Sequence, residues 1–262
     1  MAKSHKQAVL PNDVTISYAE YGSGAPLICL TGINSTQDMW SPQFIAQLSR
    51  RFRVITLDHR GVGGSAGPRP HSIAAFAKDA SLLIDYLGMN KAHILGVSMG
   101  GMVAQHMAVH HQQYVDHLIL GATACAGHLV RPKLKVLLGA LFYLKPELAA
   151  RALVSDAFLR SDPSYLPSLI HTMHSSSAGA RVFLEQLSAI ARFNLRREIS
   201  QITAPTLIIC GTDDQIISHE NSDLIATEIA GSRLIKWDGV GHLFPREHPE
   251  ATADAIANFV AN

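Results

Sequence analysis

Short apolar runs recur along the chain, and most are followed by a turn and then by a stretch with helical periodicity. Residues 14–18 alternate between apolar and polar and end at a glycine turn at 22–24, which predicts an edge strand or a hairpin strand. Six further runs are apolar at nearly every position, which is typical of strands buried on both faces: 27–30, 54–57, 93–97, 118–120, 207–210 and 234–237.

Helical patterns lie between these strands, at about 40–49, 73–87, 99–111, 218–230 and 248–260. Ser218 is a predicted N-cap for the fourth helix, and Pro249 stands in the predicted first turn of the last. Strands that alternate with helices in this way predict an α/β protein with a mainly parallel, doubly wound sheet that carries helices on both faces.

The alternation stops between about 124 and 200, where three helical segments are predicted at 133–144, 147–159 and 178–192 and prolines separate them. We interpret this stretch as a helical cap over the carboxyl ends of the strands. The predicted organisation is therefore a first part of the core at 1–123, a cap at 124–200 and a second part of the core at 201–262. The cap contains an apolar run at 136–143 near Arg131, Lys133 and Lys135, which fits an apolar acyl chain or an acidic group held by one cation.

Composition narrows the possible functions. The 262 residues are 47% hydrophobic and 16% charged, which is typical of an ordinary globular protein. A formal net charge of +1, without a run of like charges, argues against a nucleic acid or an anionic membrane as partner. No apolar run approaches the roughly 18–20 residues of a membrane span, and the amino terminus lacks the apolar stretch of a signal peptide. Cys29, Cys125 and Cys210 show no CxxC spacing and are predicted to be unpaired, so we expect a cytoplasmic protein.

The first chemical motif is the segment Gly96-Val97-Ser98-Met99-Gly100, which joins a predicted buried strand to a predicted helix. A serine on such a sharp turn is held in strained backbone geometry, and small residues two places before and after it let the turn close. The helix that follows begins beside the hydroxyl, where its partial positive charge favours a developing oxyanion. This context favours a nucleophilic serine over a chance glycine-rich turn.

A serine hydroxyl needs a base, and the base needs an acid to orient it. The strand predicted at 207–210 is followed by a turn with two adjacent aspartates, of which Asp214 is the preferred acid and Asp213 the alternative. His242 follows the last predicted strand in a glycine-rich loop and is the candidate base. Together these residues stand in the chain order Ser…Asp…His.

With these motifs the chain resembles the α/β-hydrolase family, above all its small bacterial esterases and enol-lactone hydrolases. The resemblance covers essentially the whole chain. It implies the α/β-hydrolase fold with a helical cap insertion, and hydrolysis of a small carboxylic ester or lactone without a cofactor. It rests on Leu30-Thr-Gly-Ile33, Met39-Trp40, Asp58-His-Arg-Gly-Val-Gly-Gly-Ser65, the Ser98 turn, the turn from Gly211 to Asp214 and Gly239-Val-Gly-His242.

Carried over residue by residue, the resemblance implies that Ser98 is the nucleophile, that His242 is the general base and then the acid, and that Asp214 orients His242. It also implies an oxyanion hole formed by the backbone N–H groups of Ile33 and Met99.

Near this hole the chain departs from many relatives, which carry His-Gly where it has Thr31-Gly32. A backbone donor does not require the histidine, although the support behind the loop differs. Asn34 is a candidate substrate contact, and its alternative interpretation is that of a turn residue.

Other chemistries of the same fold stay open at this stage. A dehalogenase of this fold uses an aspartate nucleophile, so Ser98 argues against that reaction. Cofactor-free haloperoxidases and perhydrolases commonly place tryptophan where this chain has Ile33, which argues against them. Carbon–carbon bond hydrolases usually have a Gly/Pro-rich segment at 33–36, which this chain lacks. A ligand receptor on a hydrolase scaffold is the alternative from another class, and the complete Ser, His and Asp set favours an enzyme.

Two weaker motifs predict neither a cofactor nor a metal. The glycine-rich turn at 61–66 resembles a dinucleotide loop, but prolines follow it where a phosphate-binding helix would have to begin. His106 and His110 have the i, i+4 spacing of a zinc pair without an evident third ligand, so we predict no metal site.

Overall fold

The computed structural model describes residues 5–69, 72–130 and 146–261. Eight strands form one sheet in the order β1-β2-β4-β3-β5-β6-β7-β8. β1 pairs antiparallel with β2 and β2 antiparallel with β4, while all other neighbours are parallel, which confirms the predicted mainly parallel sheet. The strands are β1 Lys6–Leu10, β2 Val14–Tyr21, β3 Ala25–Leu30, β4 Phe52–Leu57, β5 Ala92–Val97, β6 Val115–Gly121, β7 Thr206–Gly211 and β8 Arg233–Trp237.

Ten α-helices lie in the described part of the chain. Before β7 these are α1 Pro42–Leu48, α2 Ile73–Tyr86, α3 Met99–His110, α4 Pro146–Leu153, α5 Asp156–Ser161, α6 Tyr165–Ser176 and α7 Ala180–Arg192. After β7 they are α8 Glu220–Glu228, α9 Phe244–Glu247 and α10 Pro249–Val260. None of these helices is long and apolar enough to cross a membrane.

The sheet is covered on both faces, which explains why its central strands are apolar at nearly every position. In β3, Ile28 and Leu30 pack into the cluster that includes residues of α2, α3 and α8, whereas Leu27 and Cys29 pack into the cluster that includes residues of α1 and α10. The two faces therefore carry helices as the doubly wound prediction requires. The three cysteines of the chain are buried and free, as expected.

Helices α4 to α7 lie between β6 and β7 in the chain and contact loops at the carboxyl ends of the strands. Thr36 N–H donates to Ser176 O at 3.1 Å, and Leu243 N–H donates to Leu153 O at 2.7 Å. The predicted helix at 133–144 and the cations Arg131, Lys133 and Lys135 lie outside the described residues. The proposed boundaries of the cap stay a prediction.

The cap helices differ from the prediction in two places. The helix predicted at 147–159 is broken into α4 and α5, because the Ser155 side chain accepts a hydrogen bond from Phe158 N–H and so begins a new helix. Helix α6 is absent from the prediction, because a proline at position 167 usually indicates the end of a helix. Pro167 lies in the first turn of α6, where backbone N–H groups have no partner within the helix and proline is tolerated.

The prediction that Ser218 is the N-cap of α8 is wrong. The helix begins at Glu220, so the N-cap is His219. The Ser218 hydroxyl donates to the Glu220 carboxylate at 3.2 Å.

Candidate active site

Ser98 lies at the turn between β5 and α3 and has a φ of +59°, a left-handed value that is rare for a residue with a side chain. The turn closes only because the residues two places before and after Ser98, Gly96 and Gly100, lack side chains. A Cβ on Gly96 would lie 2.2 Å from Gly100 O, and one on Gly100 would lie 2.1 Å from Leu30 O. The predicted strained serine turn is therefore present, and it places Ser98 at the amino terminus of α3.

The backbone of this turn is held by two hydrogen bonds from the neighbouring strand and the loop after it. Ser98 N–H donates to Gly121 O at 2.9 Å. The Thr123 hydroxyl donates to Ser98 O at 2.8 Å. Strained positions persist only where the surroundings fix them. These hydrogen bonds use the backbone of Ser98 and do not involve its hydroxyl.

His242 and Asp214 form a buried pair. Nδ1 of His242 lies 2.7 Å from Oδ2 of Asp214, and the two side chains expose 4% and 0% of their surface. The other carboxylate oxygen, Oδ1, accepts hydrogen bonds from Ile216 N–H at 2.8 Å and Ile217 N–H at 3.0 Å. The carboxylate is thus fixed in rotation, with one oxygen held by the backbone and the other aimed at His242.

The alternative acid, Asp213, lies elsewhere. It is exposed, and its backbone N–H donates to Val240 O at 2.9 Å. Of the two adjacent aspartates, the structure brings only Asp214 to His242.

The two residues whose backbone N–H groups are predicted to form an oxyanion hole line the same cavity as Ser98. Met99 is the first residue of α3, so its N–H has no acceptor within the helix. Ile33 follows Gly32, where an added Cβ would lie 3.3 Å from Ser98 Cβ and 3.6 Å from Ser98 Oγ. Neither N–H has an acceptor in the part of the chain that the structure describes. Two unpaired donors beside the serine suit a developing oxyanion.

His59 contacts the loop of residues 31–36 through a hydrogen bond, a role that sequence reasoning missed. Nε2 of His59 lies 3.3 Å from Thr31 O, and the Thr31 hydroxyl donates to Ser35 O at 3.1 Å. His59 is buried, and burial lowers its pKa to about 4. The neutral ring with its proton on Nε2 is therefore the form that holds the loop.

His59 makes the stability of the protein depend on pH. Its folded pKa of about 4 lies below the unfolded value of about 6.5, so as pH falls between these values the unfolded chain binds the proton first. We expect the free energy of unfolding to fall across that window and to level off below it. Between about pH 7 and about pH 4.5, wild type should lose about 2 kcal/mol more than His59→Gln in urea unfolding, and parallel pH profiles would contradict this account.

Asn34, the predicted substrate contact, lines the cavity, but its polar groups form hydrogen bonds with the cap. Its backbone N–H donates to Gln186 Oε1 at 2.6 Å, and its side-chain amide nitrogen donates to Ser177 Oγ at 2.9 Å. Its side-chain oxygen accepts from Ala178 N–H at 3.1 Å. These bonds give Asn34 a role in joining the 31–36 loop to the cap, and the substrate contact stays a prediction.

Glu247 is a second residue that sequence reasoning missed. Its Oε1 accepts from Gly241 N–H at 2.9 Å and from Ser155 N–H at 2.8 Å, and its Oε2 accepts from the Ser155 hydroxyl at 2.6 Å. This buried carboxylate therefore fastens the loop that carries His242 to the start of α5 in the cap. The two bonds to Ser155 span 92 residues of chain, so no local sequence pattern predicts them.

Ser98 and His242 line one cavity of about 350 Å³ between the sheet and the cap helices. Most of its wall is apolar. The apolar side chains include Met39, Trp40, Met102, Leu153, Met173, Phe183, Leu187, Ile190, Ile216, Ile217 and Leu243. Such a wall suits an apolar portion of a ligand, which would lie beside the polar side chains of Ser98 and His242.

Potential metal ligands lie away from this cavity. His93, Asp116 and His117 place one ligand atom each within 4.8 Å of one another, at the opposite end of β5 and β6 from Ser98. Asp116 already pairs with the ammonium group of Lys91. His106 and His110, for which the sequence predicts no metal site, have ring centroids 4.3 Å apart. Within the described residues no third potential ligand lies close to both of them.

The chain is similar to known proteins that share this fold. Residues 27–255 match the sequence profile described as "Alpha/beta hydrolase family". The chain belongs to the α/β-hydrolase family, as its motifs predict, and it is a hydrolase.

Individual relatives carry several reaction names. The chain is 32% identical over 241 residues to a poly(3-hydroxyalkanoate) depolymerase of Ectopseudomonas oleovorans, covering 90% of this chain and 84% of the relative. It is 26% identical to 3-oxoadipate enol-lactonase 2 of Acinetobacter baylyi, covering 96% and 95%. The enol-lactonase structure from Burkholderia xenovorans LB400 shares the fold, with a TM-score of 0.85, 24% identity and coverage of 98% and 100%. Relatives named for carbamate hydrolysis and for non-heme bromoperoxidase activity also match.

Proposed function

We propose that this protein is a serine hydrolase that cleaves a small carboxylic ester or lactone through an acyl-enzyme on Ser98. The observation that carries the proposal is the pairing of His242 with the buried Asp214 at 2.7 Å, in a cavity that Ser98 also lines. A nucleophile and a base in one cavity, with a buried acid that orients the base, are the parts that acyl transfer requires.

The proposed reaction begins with attack of Ser98 Oγ on the ester carbonyl carbon while His242 Nε2 takes the hydroxyl proton. Asp214 accepts the hydrogen bond from Nδ1 and thereby keeps Nε2 free to act as the base. The negative charge that develops on the carbonyl oxygen is met by the N–H groups of Ile33 and Met99. His242 then gives its proton to the leaving alcohol, which in a lactone stays attached to the acyl group.

The second half of the proposed reaction regenerates the enzyme. His242 takes a proton from water as the water oxygen attacks the acyl carbon, and Ser98 leaves with that proton. No cofactor takes part in either half. The stretch 124–200 is proposed to act as a cap that excludes bulk water from the cavity.

The apolar wall favours an ester with an apolar acyl or alcohol portion. The names of the depolymerase and enol-lactonase relatives support ester and lactone bonds as the reaction class. Ile33 supports hydrolysis over the perhydrolase alternative, which commonly carries tryptophan at this position.

A hydrolysis panel tests the proposed function. It should compare aliphatic p-nitrophenyl esters of increasing acyl length with simple lactones and enol-lactones, and should include a halide-oxidation assay with peroxide. We expect saturable hydrolysis of esters or lactones at steady state. Peroxide-dependent halogenation without ester hydrolysis would contradict the proposal, and a single burst followed by a persistent adduct would favour a ligand receptor.

A further inference from the structure

One cation lies on the otherwise uncharged wall of the cavity. Among the residues that the structure places on that wall, Arg246 is the only lysine or arginine, and none is an aspartate or glutamate. Arg246 belongs to the short helix α9, four residues after His242, and it is half-buried. The cation therefore shares the cavity with the proposed base.

The guanidinium is held in place but not neutralised. Its Nε donates to Met39 O at 2.9 Å, and its Nη1 donates to the Tyr165 hydroxyl at 3.1 Å. Both acceptors are neutral, and three of its five N–H groups have no acceptor among the described residues.

Within the described residues, the hydrogen-bond partners of the Arg246 side chain are these two oxygens and no carboxylate. Some other arginines of the chain do pair with carboxylates, for example Arg60 with Asp79 and Arg53 with Glu20. The segment 131–145, which the structure does not describe, contains neither aspartate nor glutamate in the sequence. The described residues thus offer this cation no anionic partner at the cavity, and the segment 131–145 has no acidic side chain to add.

A charge beside an apolar wall is disfavoured unless an opposite charge meets it. An arginine presents a planar fork that matches a carboxylate with two parallel hydrogen bonds. One positive charge balances one monovalent carboxylate, whereas a dianionic phosphate would leave a net charge in the cavity. If Arg246 served only to donate hydrogen bonds to Met39 O and the Tyr165 hydroxyl, an uncharged donor would be sufficient.

We propose that Arg246 forms an anion subsite, and that the substrate of this hydrolase carries a carboxylate apart from the ester bond that is cleaved. This proposal rests on the proposed ester hydrolysis at Ser98. Arg246 acts in it as a specificity-determining residue, which binds the remote carboxylate while the ester carbonyl lies at Ser98.

The test compares matched acids and neutral esters. One series consists of p-nitrophenyl half-esters of adipic, pimelic and suberic acids, and each is compared with the same compound after its free carboxyl has been converted to the methyl ester. In a second series of butyrate esters the carboxylate lies on the alcohol portion. In wild type we expect kcat/KM for at least one acid to exceed that of its methyl ester by about tenfold or more. Arg246→Gln should lower this preference by about 10- to 100-fold, mainly through KM.

Two variants separate charge from structure. Arg246→Lys keeps the charge without the planar fork and should retain part of the preference, which a merely structural tie would not produce. Arg51→Gln removes an exposed arginine that pairs with Asp254 away from the cavity, and it should leave the preference at the wild-type value.

The possible failures can be told apart. If wild type hydrolyses the methyl esters but prefers no acid in either series, the anion subsite is wrong and the proposed function stands. If no ester is hydrolysed, the proposed function fails. Calorimetric binding of monomethyl adipate to Ser98→Ala, with and without Arg246→Gln, then decides the subsite: weaker binding in the double variant supports it, and equal binding overturns it.

Discussion

Replacing Ser98 by alanine should lower kcat for any ester that the protein hydrolyses by at least about 10⁴-fold. The hydroxyl is the proposed nucleophile, and Ser98 lines the same cavity as His242, whose ring is held by Asp214. Residual activity should come only from the oxyanion donors and from substrate binding.

The variant should fold normally. The bonds that hold the turn use Ser98 N–H and Ser98 O, which alanine retains, and alanine has the same Cβ at the left-handed φ. Circular dichroism and thermal melting check the fold, and kcat/KM with an activated ester checks the chemistry. A folded variant that turns over at the wild-type rate would remove Ser98 from the mechanism.

Asp214→Asn should lower kcat by about 10³- to 10⁴-fold. Backbone N–H groups of Ile216 and Ile217 hold an oxygen at the Oδ1 position, so the new amide nitrogen is placed toward His242. An amide nitrogen there donates to Nδ1 instead of accepting from it. The ring then carries its proton on Nε2, where it cannot take the Ser98 proton.

The adjacent aspartate provides the matched control. Asp213→Asn changes the same charge one residue away, on an exposed side chain, and should alter kcat by less than about twofold. Steady-state kinetics of the two variants on one ester make the comparison. Equal losses, or a larger loss at Asp213, would contradict the assignment of Asp214.

The strand and helix order of the core follows from periodicity, because buried parallel strands and amphipathic helices leave strong local patterns. β1 left no such pattern. It is an edge strand whose inward residues are only Ala8 and Leu10, and its pairing partner β2 supplies what the sequence of β1 does not. Elements of this kind depend on tertiary contacts rather than on local preference.

The same contrast holds for the site. Ser98, Asp214 and His242 stand in short motifs directly after strands, so their candidacy is visible in the sequence. Glu247 and Arg246 act through partners far away in the chain, Ser155 and Met39. Their importance arises from the approach of the cap to the loop after β8, which no local spacing records.

Trapping the acyl-enzyme tests the central claim most directly. The protein should be mixed with an activated ester, quenched in acid during turnover, and analysed by intact and peptide mass spectrometry, with Ser98→Ala beside it. The account predicts the mass of one acyl group on the peptide that carries Ser98 in wild type, and no such mass in the variant. An acyl group on another residue, or hydrolysis with no acylated Ser98 peptide at any quench time, would contradict it.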